Sequence, residues 1–214
     1  MPLRQLPYSE ARKQMKPGDV IAYSGKADLS NFIKWVTRAG VSHLSIVVQA
    51  KLLYEHTETP AEGFLNQVME ATSNGVHFSR LSDHMRYYDG EIWWLPLRQD
   101  LREKMNVQAL YDFLLHQEHK GYDIAQAVRS GVDRFDNALG GLSKNKEDFA
   151  RFFCSELVAA ALERAGIVPH WNSSEITPAD LTRFSLFQDD YFQLKGDMKQ
   201  LKGYNSLDPL GWGE

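Results

Sequence analysis

Only one cysteine, Cys154, occurs in the 214 residues. That scarcity excludes an internal disulfide and agrees with a reducing compartment, so the cytoplasm is the default expectation. Long apolar runs are missing too: no stretch approaches the roughly 18 consecutive apolar residues of a membrane span. Met1 to Met15 alternate polar and apolar residues, without the apolar h-region of a secretory signal. Positive charge is not concentrated anywhere. With 24 Lys and Arg scattered against 28 Asp and Glu and a net charge of -4, the chain lacks the basic footprint of a nucleic-acid binder. Several motifs are absent as well: the Gly-x-Ser-x-Gly elbow, the phosphate-cradling glycine loop, the dinucleotide fingerprint and the His-Glu-x-x-His of zinc hydrolases.

What is present suffices for one good core. Apolar residues make up 43% and charged ones 24%, the balance of a foldable globular chain, and a single domain over 1–214 is expected. Tyr8 to Met15 reads as a short helix, and the turn cluster Lys16-Pro17-Gly18-Asp19 launches a first strand at Val20 to Tyr23. Leu29, Phe32, Ile33, Val36 and Ala39 recur at helical spacing before Gly40. Val41 to Gln49 is β-branched and apolar, with His43, Ser45 and Val47 on one face. Asn66 to Thr72 and Val76 to Ser79 flank Asn74-Gly75, a hairpin signal, and Glu91 to Leu97 is a further strand. Glu103 to Gln117 and Asp123 to Leu139 are helical in pattern. The charged run Lys144 to Asp148 then leads to a helix that opens near Cys154 and stops at Gly166. Thr177-Pro178-Ala179-Asp180-Leu181 reads as a capped helical turn, and the aromatic tail from Phe184 is unassigned, free to wrap the body or meet a partner. Strands first and helices later argue α+β rather than α/β.

Cys154 falls on a stripe with Leu157, Val158, Ala161, Leu162 and Ala165, which fits a buried core residue. It also lies near the start of that stripe. If the helix begins there, its amides and dipole favour a thiolate. A nucleophilic thiol needs a histidine to share its proton, and the histidine needs a polar partner to fix its tautomer. Of seven histidines, His43 is best placed, on a strand between the small residues Ser42 and Ser45. Glu70, amid Val68, Met69 and Ala71, is costly to bury unless paired with a cation, and His43 is the natural candidate; an exposed strand face is the alternative. His116 and His119 share a helix face but have no third ligand at a metal-binding spacing. His56, His77, His84 and His170 lie in or beside polar segments and read as solvent-facing.

Five segments occur in order: Pro17-Gly18-Asp19-Val20-Ile21, Val41-Ser42-His43-Leu44-Ser45-Ile46-Val47, Met69-Glu70-Ala71, Gly121-Tyr122-Asp123 and Phe153-Cys154-Ser155-Glu156-Leu157-Val158. Together, over about residues 16–183, they resemble the circularly permuted NlpC-like cysteine hydrolases, the YiiX/YaeF-like group. The resemblance implies a papain-like fold in which an antiparallel sheet or partial barrel packs against helices and the histidine strand precedes the cysteine helix. It also implies Cys154 as nucleophile, His43 as general base and Glu70 as the group orienting it. Tyr122 matches a tyrosine near the active site and, with Tyr23 and Ser42, is a candidate substrate contact. Relative to that group, 124–150 is a helical insertion and 184–214 an aromatic extension.

The expectation is a thiol hydrolase that cleaves an amide or peptide bond through an acyl-enzyme, with the Cys154 amide as one oxyanion donor and no metal or organic cofactor. Its substrate would be a small peptide, an amino-acid amide or an acyl compound, with neither nucleic acid nor a membrane span involved. Two alternatives stand beside it. One is a thioester acyltransferase or lipid hydrolase like the lecithin-retinol acyltransferases, against which the Phe-Cys-Ser-Glu-Leu surroundings weigh. The other is a non-enzymatic binding module that docks through the aromatic tail.

Overall fold

The computed structural model describes residues 2–25, 40–49, 66–72, 74–118, 146–168, 171–173 and 176–210. Seven strands form one sheet: β1 (Leu3–Gln5), β2 (Val20–Gly25), β3 (His43–Gln49), β4 (Asn66–Thr72), β5 (Gly75–Arg80), β6 (Gly90–Leu95) and β7 (Tyr191–Lys195). Their order is β1-β7-β6-β2-β3-β4-β5. All neighbours are antiparallel except β1 and β7, which run parallel. Among the described residues the helices are α1 (Tyr8–Ala11), α2 (Leu81–Tyr87), α3 (Gln99–Lys104), α4 (Val107–Gln117), α5 (Lys146–Arg164) and α6 (Pro178–Arg183). The α+β class is met. Among the described residues the sheet, however, is open: β1 and β5 are its two edges, and the partial barrel allowed by the resemblance does not close.

Alternation along the strands divides the core. Val20, Ala22, Leu44, Ile46, Met69, Trp93 and Leu95 belong to one cluster with the α5 residues Cys154, Leu157, Val158, Ala161 and Leu162. Ile21, Tyr23, Val47, Val68, Ile92 and Trp94 belong to a second, with Ala11 and Leu81. This is the period of two that a sheet covered on both faces requires. α5 lies over β3 and β4. Its apolar stripe is buried as the spacing predicts, and Gly166, at φ 73°, ends it. There the Gly166 N–H bonds to Glu163 O and the Ile167 N–H to Leu162 O, the two bonds of a Schellman close.

Several elements differ from the sequence reading. The 103–117 pattern is split into α3 and α4 by Asn106, whose side chain accepts from Ala109 N at 3.0 Å and so starts a new helix. α5 spans Lys146–Arg164, so it takes in Lys146 to Asp148 of the charged run expected to precede it and the end of the expected 124–150 insertion. The unassigned tail supplies β7, which lies inside the sheet between β1 and β6. The expected helix over 29–39 and the rest of the insertion lie outside the described residues.

Buried Asp19, at the head of β2, ties several parts together. It accepts from Lys16 N, Trp94 Nε1 and Leu97 N, each at 2.9 Å, and pairs with Arg102 of α3. Four donors satisfy a carboxylate that would otherwise be very costly to bury.

Candidate active site

β-Sheet register builds the site. Tyr23 on β2 lies opposite His43 on β3, Ser45 opposite Glu70 on β4, and Glu70 opposite His77 on β5. Side chains of paired residues share a sheet face, and those two positions along the strand return to it. One face therefore carries Tyr23, His43, Ser45, Glu70, His77 and Ser79.

Glu70 is the hub. It is 5% exposed and so needs donors for both of its oxygens. His43 Nε2 lies 2.8 Å from Oε2, and a carboxylate only accepts, so the imidazole donates. Oε1 takes the Ser79 hydroxyl, His84 Nε2 at 3.2 Å and His77 Nε2 at 3.5 Å. Burial would raise the Glu70 pKa, but hydrogen bonds from His43 and His84 and the charges of those rings hold it far below the ordinary 4.5.

His43, 15% exposed in its side chain, is the first residue of β3. Burial works against its charge. A Cys154 thiolate, a hydrogen bond to that sulfur and the contacts with Glu70 outweigh burial and raise its pKa from 6.5 to about 10. The structure thus brings the three residues the sequence singled out together, with the imidazole hydrogen-bonded to the carboxylate and the Cys154 sulfur near enough to act on its pKa.

Two expectations about Cys154 change. It stands eight residues after Lys146, two turns inside α5, so the helix terminus is not beside it; the dipole's influence is confined to the first turn. As an interior helical residue its amide belongs to the helix's own i to i−4 ladder and is not free to serve an oxyanion. Cys154 is also completely buried.

Other candidates fare differently. Tyr23 is 1% exposed and Ser42 2% exposed, so this conformation presents neither to a substrate. Ser42 Oγ instead donates to Tyr23 O at 3.3 Å and accepts from Gly25 N at 3.4 Å, bracing the approach to β3. Tyr122 lies outside the described residues. His116 is exposed on α4, and His119 is not among the described residues. Among those described, no group of three or more His, Cys, Asp or Glu side chains is arranged to hold a metal ion.

His77 and His84, read from sequence as solvent-facing, both point to Glu70. His77 was within reach of the sequence: counting outward from the Asn74-Gly75 turn pairs Thr72 with Gly75 and Glu70 with His77. His84 gave no such signal. It comes from α2, a helix that the polar segment around it did not suggest.

No family model matches the chain, and no curated protein matches it. Among solved structures it is similar to the metalloprotein YiiX of Escherichia coli O157:H7, with 20% sequence identity, a TM-score of 0.44, and coverage of 71% of this chain and 67% of that one.

Proposed function

We propose that the protein is a thiol hydrolase that cleaves an amide or peptide bond, with Cys154 as nucleophile, His43 as acid and base and Glu70 as the group that holds His43. The observation that supports this reading most is His43 bonded on one side to the only sulfur of a cysteine in the chain and on the other to a buried carboxylate. A structural thiol does not need a charged imidazole beside it.

In the proposed reaction the thiolate adds to the substrate carbonyl, and the His43 imidazolium gives its proton to the nitrogen as the carbon–nitrogen bond breaks, releasing the amine. A thioester and a neutral imidazole remain. The imidazole takes a proton from water as the water oxygen adds to the thioester; expulsion of the thiolate releases a carboxylic acid and regenerates the ion pair. No oxyanion role falls to the Cys154 amide.

The complete burial of Cys154 favours a second reading, a binding module that keeps the series as part of its core. One comparison separates the two. Because there is one cysteine, iodoacetamide labelling followed by intact mass reports on Cys154 alone. The hydrolase reading expects rapid labelling at neutral pH that slows in His43→Ala, and turnover of aminoacyl and dipeptidyl coumarin amides that disappears in Cys154→Ala. Slow labelling indifferent to His43, or turnover that survives Cys154→Ala, overturns it.

A further inference from the structure

Glu70 is held from behind as well as in front. His84 Nε2 lies 3.2 Å from Glu70 Oε1 and its Nδ1 lies 2.8 Å from the Tyr23 hydroxyl; with the ring proton on Nε2, facing the carboxylate, Nδ1 accepts from that hydroxyl. Having spent its single hydrogen, the Tyr23 oxygen accepts from Ser45 Oγ at 2.9 Å. The series runs Ser45 to Tyr23 to His84 to Glu70 to His43 to Cys154, and each donor in it has an acceptor. Its members come from β2, β3, β4, α2 and α5.

We infer that His84, backed by Tyr23 and Ser45, is a positioning residue for the reaction: it fixes the rotation of the Glu70 carboxylate so that Oε2 stays on His43. This rests on the hydrolase reading above. The physical reason lies in the division of labour at Glu70. A carboxylate on two side-chain torsions can turn unless both oxygens are engaged, and Oε1 is engaged chiefly by Ser79 and His84. The Ser79 hydroxyl rotates freely about its own bond and follows the carboxylate. The His84 ring cannot, because its far nitrogen is pinned by a tyrosine only 1% exposed. His84 itself is 18% exposed in its side chain, His77 is 34% exposed, and His77 reaches Glu70 only at 3.5 Å. Among the described residues, Tyr88, whose ring is 5.2 Å from that of Tyr23, and Tyr8 also lie near this series, and Asp83 and Arg86 are neighbours of His84 along α2.

The test uses p-nitrophenyl acetate as the acylating probe in stopped flow, with the full chain. His84→Ala is expected to slow acylation about 10- to 100-fold, the cost of misplacing a catalytic group by about an ångström, with little change in half-saturation. His84→Gln, whose amide N–H can reach Oε1, is expected to restore most of the loss. Tyr23→Phe keeps the ring's packing and is expected to slow acylation severalfold, so it decides the matter if His84→Ala does not fold. In the carbon-13 spectrum, the His43 ring, whose pKa is raised to about 10 in the parent, is expected to lose its proton at lower pH in His84→Ala.

Acylation by His84→Ala within about twofold of the parent overturns the inference, as do equal impairment of the Ala and Gln variants and an unchanged His43 titration. The two readings fail separately. If Cys154→Ala abolishes acylation while His84→Ala and Tyr23→Phe acylate normally, only the positioning role falls; if Cys154→Ala acylates normally, the hydrolase reading falls and takes this inference with it.

Discussion

Replacing Glu70 with glutamine keeps the length and shape of the side chain and removes its charge, while the surrounding donors can rearrange to suit. If the remaining oxygen stays on His43, the new NH2 faces His84 Nε2 and the Ser79 hydroxyl. His84 can change tautomer, because Tyr23 can turn its hydrogen toward Ser45 and accept from Nδ1. Most hydrogen bonds survive, and what is lost is their charge assistance. A bond to a charged group contributes about 1.5 to 3 kcal/mol against about 1 for a neutral one, so two such bonds put the loss at about 1 to 4 kcal/mol, centred on about 2.5. That central value is below the roughly 3 to 5 kcal/mol for stranding a buried charge, which glutamine avoids by letting His43 become neutral.

The pH dependence is the sharper part of the prediction. Glu70 has a folded pKa below its ordinary 4.5, so its contribution is present above that pH and is lost as pH falls through the folded value. His43 has a folded pKa raised from 6.5 to about 10, so its contribution is full below 6.5 and is lost as pH rises toward 10. The advantage of the parent over Glu70→Gln, measured by urea unfolding in a pH series, should therefore be greatest between about 4.5 and 6.5 and shrink on both sides. Turnover should drop about 10²- to 10⁴-fold, as when the orienting acid of a triad is neutralised. A stability difference that stays flat with pH, or no loss of turnover, would refute the reasoning.

Two further substitutions probe the frame that carries the site. Asp19→Ala leaves Arg102 and three N–H groups without their acceptor and should cost about 3 to 5 kcal/mol in urea unfolding. Gly90 has φ 152°, and a Cβ there would lie 2.2 Å from Ser24 O on the neighbouring strand; Gly90→Ala should lose about 1 to 3 kcal/mol, read as a lower thermal midpoint.

Legibility in the sequence followed the range of the forces involved. β3 and β4 were readable because a β-branched run and an alternating run state their own period, and the turn between β4 and β5 was announced by Asn74-Gly75. The end of α5 was readable from Gly166, but its start was not, since a charged segment such as Lys146 to Asp148 suits a loop as well as a first helical turn. β7 escaped because a strand inserted between β1 and β6 is specified by distant partners rather than by its own pattern. The same contrast holds at the site. Cys154, His43 and Glu70 stood out as residue types that need one another, and the open question was whether the fold joined them. His84 and the inward turn of Tyr23 depend on how α2 lies across the sheet, which no local spacing encodes.

The placement of β7 bears on how the chain is made. β1 precedes every other described strand along the chain, yet its hydrogen-bonding neighbour is β7, so β1 must stay without its mate until the five strands between them have been made. Closing so large a loop is slow, and an unmated strand edge invites the wrong neighbour in the meantime. The two segments thus meet only after everything between them has been made, and quality control in the cell would see that late zippering as the vulnerable moment of this protein's life.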